Sequence, residues 1–326
     1  MKKLIVVLLV AFIGQTLSSQ NLSTGKIHLD CKINVNLSKG NTFSGVFYLE
    51  NEQFLFSYNS FTGLSQIWNL KRGGLPVYQK KWTTGWSNFN FYEYKGENYF
   101  FLQKSSEGTA RIIKLDYQKI MTSKSLGAQV YNKKWSSGWT STKFFVHNNL
   151  IYFLHYKKGT GLIRLNAITK GGTVGSVIYE KKWSKGYTNF AMTATSNKFF
   201  ILSQKEKDGL CVINRVDVPK LEQAAKLGFI SPNLGTEIYR KKWSSGWSNF
   251  EFFKLKGKTY LFFNKNKGGT VRIEEFLSNG YLSKRVYDNK WSNGWSEIDI
   301  FDINGKPQLF HQKKSTGQTK ICELKI

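Results

Sequence analysis

Hydrophobic and polar residues alternate along most of this chain in short runs. Within Ser248 to Phe253, Phe250 and Phe252 share one side, and Phe89 with Phe91 repeat the pattern upstream. A period of two, enriched in aromatic and β-branched residues, predicts strands, because successive strand side chains point to opposite faces. Four such runs follow Trp243: Ser248 to Phe253, Thr259 to Phe263, Thr270 to Phe276 and Lys284 to Tyr287. Lys256-Gly257, Lys267-Gly268-Gly269 and Asn279-Gly280 separate them as turn signals. The unit reads as four antiparallel strands.

The unit recurs. Each copy opens on Lys-Trp-x-x-Gly-aromatic, at Lys81 to Trp86, Lys134 to Trp139, Lys182 to Tyr187, Lys242 to Trp247 and Lys290 to Trp295. The first Trp residues (Trp82, Trp135, Trp183, Trp243, Trp291) are spaced by 53, 48, 60 and 48 residues. Short strands at that period predict propeller blades. Upstream of Trp82, the runs Phe47 to Leu49, Phe54 to Tyr58, Leu64 to Leu70 and Pro76 to Tyr78 repeat the strand plan without the signature, as a sixth, degenerate unit. The prediction is an all-β protein, a six-bladed β-propeller of four-stranded antiparallel blades. Its units run from about 43–80, 81–133, 134–181, 182–241, 242–289 and 290–326. The last unit stops after three strands, and the segment 27–35 is expected to supply its fourth, which closes the ring and removes a free sheet edge.

Two insertions and three cysteines refine this plan. Pro219 to Gly228 predicts a short helix between third and fourth strands, which explains the long spacing, and a weaker insertion covers Asp116 to Ala128. Cys31, in the closing strand, and Cys322, in the last unit's third strand, fall in neighbouring strands and are expected to form a disulfide; the other reading is two buried thiols. Cys211 reads as core. Met1-Lys2-Lys3 followed by the apolar run Leu4 to Ile13 reads as a signal peptide over 1–19, leaving one propeller domain over 20–326. Export to the extracellular space or periplasm is expected, with no transmembrane segment, because no later apolar run is long enough to span a bilayer.

Composition changes the picture in one respect. With 48 Lys plus Arg against 21 Asp plus Glu, the formal charge is +27, and all but seven of the basic residues are Lys. In an up-and-down blade the loop entering the first strand and the loop joining the second to the third lie on one face. The entry loops carry Lys81, Lys134, Lys182, Lys242 and Lys290, four of them preceded by a second Lys. The second-to-third loops add Lys104, Lys157, Lys205, Lys265 and Lys313 among others. Such a face attracts anionic polymers in a salt-dependent way. Indole faces at Trp86, Trp139, Tyr187, Trp247 and Trp295 would stack on sugar rings, although packing between strands explains the same residues. The first Trp of each motif reads as a wedge between blades. Arg111, Arg164 and Arg272 recur in the third strands, with Lys320 in the last, and either reach a ligand or lie along the sheet with their heads in water.

The segments Gly85-Trp86-Ser87-Asn88-Phe89-Asn90-Phe91 and Gly246-Trp247-Ser248-Asn249-Phe250-Glu251-Phe252-Phe253 resemble the blade motif of tachylectin-like β-propeller lectins. The resemblance covers five units and implies a secreted multivalent lectin whose sugar sites repeat around the ring. Thr84, Ser137, Lys185, Ser245 or Asn293 stands where that family has a second Gly, and the family's Asp-Asn-Trp segment is absent, so the sugar itself is not carried over.

No arrangement for catalysis emerges. His28, His147, His155 and His311 share no repeat position, and no metal-ligand spacing or nucleophile elbow occurs. Glu274 with Glu275 alternates faces on a strand, which is poor geometry for glycoside hydrolysis. No catalytic residue, cofactor or metal is expected. The expected protein is a monomeric binder of glycans, as anionic polysaccharide or cell-surface glycoconjugate. Nucleic acid is a poor partner for an exported chain. The alternative is a non-catalytic protein-binding or adhesion scaffold with purely structural Trp repeats.

Overall fold

Turn pairs and strand ladders organise the chain into six separate four-stranded sheets. The computed structural model describes residues 27–37, 39–147 and 150–326. The 1–19 signal segment lies outside them. Strand β1 (His28–Asn36) is set aside for the last sheet. Blade one holds β2 (Phe43–Leu49), β3 (Glu52–Tyr58), β4 (Leu64–Asn69) and β5 (Tyr78–Lys81). Blade two holds β6 (Asn88–Tyr94), β7 (Glu97–Gln103), β8 (Thr109–Leu115) and β9 (Gly127–Lys134). Blade three holds β10 (Ser141–His147), β11 (Leu150–Tyr156), β12 (Leu162–Ile168) and β13 (Val174–Lys182). Blade four holds β14 (Asn189–Thr195), β15 (Lys198–Gln204), β16 (Leu210–Val216) and β17 (Gly235–Lys242). Blade five holds β18 (Trp247–Leu255), β19 (Lys258–Lys265), β20 (Thr270–Phe276) and β21 (Leu282–Lys290). Blade six holds β22 (Trp295–Ile303), β23 (Lys306–Lys313) and β24 (Gln318–Lys325), and takes β1 as its outermost strand.

The six-bladed propeller and its closure by the N-terminal strand are as the sequence predicts. β1 runs antiparallel to β24 with Cys31 opposite Cys322, and the two form a disulfide across 291 residues of chain. Cys211 is a buried free thiol. Most strands extend beyond the alternating core of their runs, because the ladder continues into the charged residues at each end. The fourth strand of blade five, for example, covers Leu282–Lys290 rather than four residues.

Packing between blades explains the aromatic content. Phe47 of blade one stacks on Phe91 of blade two at 4.4 Å, Phe91 stacks on Phe100 at 4.4 Å, and Phe56 meets Phe100 edge-on at 5.0 Å. Sheet faces at this separation need large flat side chains to fill the wedge, and each fully buried Phe contributes about 1.5–3 kcal/mol. The earlier insertion holds a short helix, α1 (Tyr117–Met121), and the later one holds the expected helix. α2 (Val218–Leu227) starts at the Asp217 cap and ends at left-handed Gly228. Its buried Val218, Leu221 and Ala224 join a core that includes Ile178 and Tyr179 of blade three, so the insertion clamps two blades together.

Candidate functional site

Each motif begins by fastening its loop. In every copy the first Trp donates its indole N–H to the hydroxyl of a Tyr four residues earlier, on Tyr78, Tyr131, Tyr179, Tyr239 and Tyr287, at 2.9–3.0 Å. Its backbone N–H donates to the carbonyl of a glycine in the second-to-third loop of the blade just completed, for example Trp135 to Gly108 at 2.8 Å. The two loop sets therefore meet on one face, as the topology requires. The ring itself lies between blades: Trp135 is 6.0 Å from Phe101 of blade two and 5.8 Å from Phe153 of blade three. These indoles are wedges.

The second aromatic of each motif lies beneath the surface. Trp86, Trp139, Tyr187, Trp247 and Trp295 are 0–5% exposed. Of the two readings the sequence allows for these rings, packing between strands accounts for this burial. Trp139 is covered by His155, stacked at 4.0 Å, and Trp295 by His311 at 4.2 Å. The side chains that reach the surface above these rings are cations. Lys104 and Arg111 lie 5.5 and 5.2 Å from the centre of Trp86, and Lys157 and Arg164 lie 4.8 and 5.2 Å from that of Trp139. Lys265 and Arg272 repeat this over Trp247 at 4.9 and 5.1 Å, and Lys313 with Lys320 over Trp295 at 5.0 and 5.9 Å. Lys205 lies 5.2 Å from Tyr187. Such placement is favourable because the ring face is electron-rich.

The sequence-predicted residues thus separate into two sets. Arg111, Arg164 and Arg272 join the buried aromatics. Lys81, Lys134, Lys182, Lys242 and Lys290 stand exposed at the ends of the outermost strands, and none lies over a ring among the described residues. The place over the ring belongs to the lysine that ends or follows the second strand. Its signal was available: Lys104, Lys157, Lys205, Lys265 and Lys313 all stand four residues before the loop glycine. Three of these lysines also donate to the serine after the first Trp, as Lys157 does to Ser136 at 2.7 Å. Burial, and the neighbouring Arg164 or Arg272, push the Lys157 and Lys265 ammonium groups below the usual lysine range.

Blade one has no such site. Leu37 takes the first-Trp position, donating its N–H to Gly317 at 2.9 Å, and Gly40 follows as the motif glycine with Asn41 in place of the aromatic. This is the sixth copy, split from the others by ring closure and hidden because both aromatics are replaced. Gln66 and Asn59 stand where the cations would be.

A second charged group lies on the propeller axis. Lys143, Glu251 and Asp299 stand on the first strands of blades three, five and six, and the first strands of neighbouring blades touch one another around it. Lys143 of blade three reaches Glu251 of blade five at 2.5 Å. Burial, and then Glu251, push the Asp299 carboxyl up to about 6. Burial raises Glu297 as well, opposed by its ion pair with Lys314. Alternation along the sequence gives no sign that these positions converge.

The fold is that of a six-bladed β-propeller. No protein-family model matches the chain, and no curated protein matches it. Among solved structures it is similar to BBS1N from a complex with ARL6DN, at 10% identity and TM-score 0.54, over 90% of this chain and 96% of that one. It is similar to hydrazine synthase of Kuenenia stuttgartiensis at 10% identity and TM-score 0.54, covering 88% and 78%. A DUF4623 family protein of Bacteroides eggerthii gives 13% identity and TM-score 0.52, covering 88% and 71%. At these identities the likeness concerns the fold alone.

Proposed function

We propose that this protein is an exported, non-catalytic β-propeller that captures anionic glycans multivalently on the face bearing the Lys-Trp-x-x-Gly-aromatic loops. The observation that carries this reading is the fivefold repetition of cations on one face, with rigid loops fixing their spacing. Repetition lets weak contacts sum along a polymer, and the charge speeds encounter. The buried aromatic rings shift the reading from sugar stacking towards recognition of the acidic groups. The resemblance to tachylectin-like lectins supports a multivalent sugar binder and rests on the motif alone.

The burial of both aromatics also favours a second reading, a protein-binding scaffold whose Trp residues only pack. A glycan-array profile of the mature chain at physiological and at about 1 M salt separates the two, since screening at high salt reaches within a few Å. Binding to sulfated or uronic glycans that weakens with salt is the expected result. No binding to any acidic glycan would discard the first reading in favour of the second.

A further inference from the structure

Five of the six blades place a second-strand lysine above the motif aromatic, and four of these add a cation from the third strand. Covering an aromatic ring does not require this. An aliphatic side chain would fill the same space without holding two like charges together, which costs free energy in a partly buried setting. Blade four is the informative exception. There Val212 occupies the position of Arg111, Arg164 and Arg272, and the residue paired with it on the next strand is Arg240. Arg240 is held by Glu237 through two hydrogen bonds at 2.7 and 2.6 Å, and Lys205 alone lies over Tyr187. The corresponding fourth-strand residues of blades two, three and five are Asn132, Glu180 and Asp288. Blade four therefore keeps the second-strand lysine over the ring without a third-strand cation.

The cations also differ in how far they are neutralised. Arg164 is paired with Glu180, and Arg272 has Asp288 at 3.5 Å. Arg111 in blade two and Lys320 in blade six have no carboxylate partner among the described residues, because the fourth strand offers Asn132 and Asn34. Lys313 is tied only to the Ser292 hydroxyl, at 2.7 Å, in the same set. Half-buried cations of this kind, with a flat guanidinium edge or paired ammonium groups, suit an oxyanion.

We infer that the cation pair over the motif aromatic in blades two, three, five and six is an oxyanion subsite, taking one sulfate or carboxylate group of an acidic glycan, four to a molecule. The subsite in blade six carries the most uncompensated charge and binds most strongly, since in blade two Lys104 is paired with Glu107 at 3.4 Å. This rests on the anionic-glycan reading above but adds a definite location, so the two can fail separately.

The test compares two variants of the full chain that each lose four positive charges. In one, Lys104→Met, Lys157→Met, Lys265→Met and Lys313→Met are combined, which keeps aliphatic cover on the rings. In the other, Lys95, Lys198, Lys256 and Lys306, in the hairpin turns of the opposite face, become Met. Binding is measured to a sulfated polysaccharide and, separately, to polygalacturonate, which tells sulfate from carboxylate recognition. The expected result is at least a 100-fold loss of affinity in the first variant and no more than about 3-fold in the second, the latter from long-range attraction. Equal losses would overturn the subsites and leave a diffuse cationic face. No binding by the parent protein would overturn the broader reading too. If circular dichroism shows the first variant unfolded, the parent decides. Its tryptophan fluorescence should respond saturably to inorganic sulfate at constant ionic strength, and a response matched by chloride contradicts the proposal.

Discussion

The carbonyl oxygen of Trp135 stands 1.9 Å from the point a Cβ on Gly108 would occupy. The same glycine has φ near +78°, so two independent constraints exclude a side chain. Gly63, Gly161, Gly209 and Gly269 face the corresponding Trp carbonyl at 1.9–2.1 Å. Gly108→Ala should therefore cost at least about 3 kcal/mol, from left-handed strain plus displacement of the motif loop. Gly138→Ala is a useful comparison, since its φ is also positive but its Cβ would meet nothing within 4 Å. It should cost only about 1 kcal/mol. Urea unfolding of both variants measures the difference, and equal costs would show that the Trp carbonyl gives way easily.

The Tyr-to-Trp hydrogen bond makes a second prediction about the same loops. Tyr131→Phe removes the acceptor of the Trp135 indole N–H and leaves that donor only partly buried, so the loss should be about 1 kcal/mol. Trp135→Ala removes the wedge itself and should cost about 3–5 kcal/mol. A denaturation series on the two variants would place them in the opposite order if the ring were mainly a surface feature.

Ring closure depends on β1, which holds the last blade's outer edge. Cys31→Ser with Cys322→Ser removes a crosslink spanning 291 residues. The chain-entropy model puts its contribution near 4–5 kcal/mol for loops of this size. The variant should unfold at lower urea and show concentration-dependent association, because release of β1 exposes the edge of β24. Unfolding curves with and without reductant, recorded beside light scattering, check both effects. An unchanged midpoint would mean that strand pairing alone closes the ring.

Much of this architecture was legible because the repeat was dense. Once five copies of Lys-Trp-x-x-Gly-aromatic fixed the period, the alternation of Phe250 and Phe252 gave the strands, and the truncated last unit gave the closure. Direction of burial was harder. Trp86 and its equivalents share a residue type with exposed sugar platforms, and only the cross-strand register, which brings His155 or His311 against the ring, shows them covered. The sixth motif copy escaped notice because Leu37 and Asn41 preserve backbone hydrogen bonds rather than side-chain chemistry. The axial group was missed for a different reason. Lys143 and Glu251 are 108 residues apart, and no periodicity announces that both point to one axis.

Acid should destabilise the fold through two stacked histidines. Burial, with smaller effects from nearby cations, pushes His155 and His311 down to about 3. A histidine depressed in the folded state takes up a proton more readily when unfolded. Stability is therefore full above the ordinary value of 6.5 and falls as pH drops towards 3. Blade five carries Phe263 at the same place, facing Trp247 at 4.7 Å, so the site accepts an aromatic ring without charge. His311→Phe should change stability by less than about 1 kcal/mol at pH 7 and preserve roughly 2–4 kcal/mol that the parent loses by pH 3. Melting curves from pH 7 to pH 3 test this, and parallel curves for the two proteins would place the acid sensitivity elsewhere.

Asp299 acts in the opposite sense. Its carboxyl, pushed up to about 6 by burial on the axis and by Glu251 and Glu297 and drawn back by Lys143, holds a proton more tightly folded than unfolded. Its contribution is then most favourable below about pH 4 and is lost as pH rises through 6. Asp299→Asn removes that penalty while keeping the shape of the side chain. The variant should match the parent at pH 4 and exceed it at pH 8 by on the order of 1–3 kcal/mol, reduced by whatever water the axis admits. Glu251→Gln provides the contrast, because it leaves Lys143 without its partner at 2.5 Å and should destabilise at pH 8. Stabilisation of both variants at high pH would show that the three carboxylates repel one another more than Lys143 holds them together, and the ion pair across the axis would then contribute nothing to closing the ring.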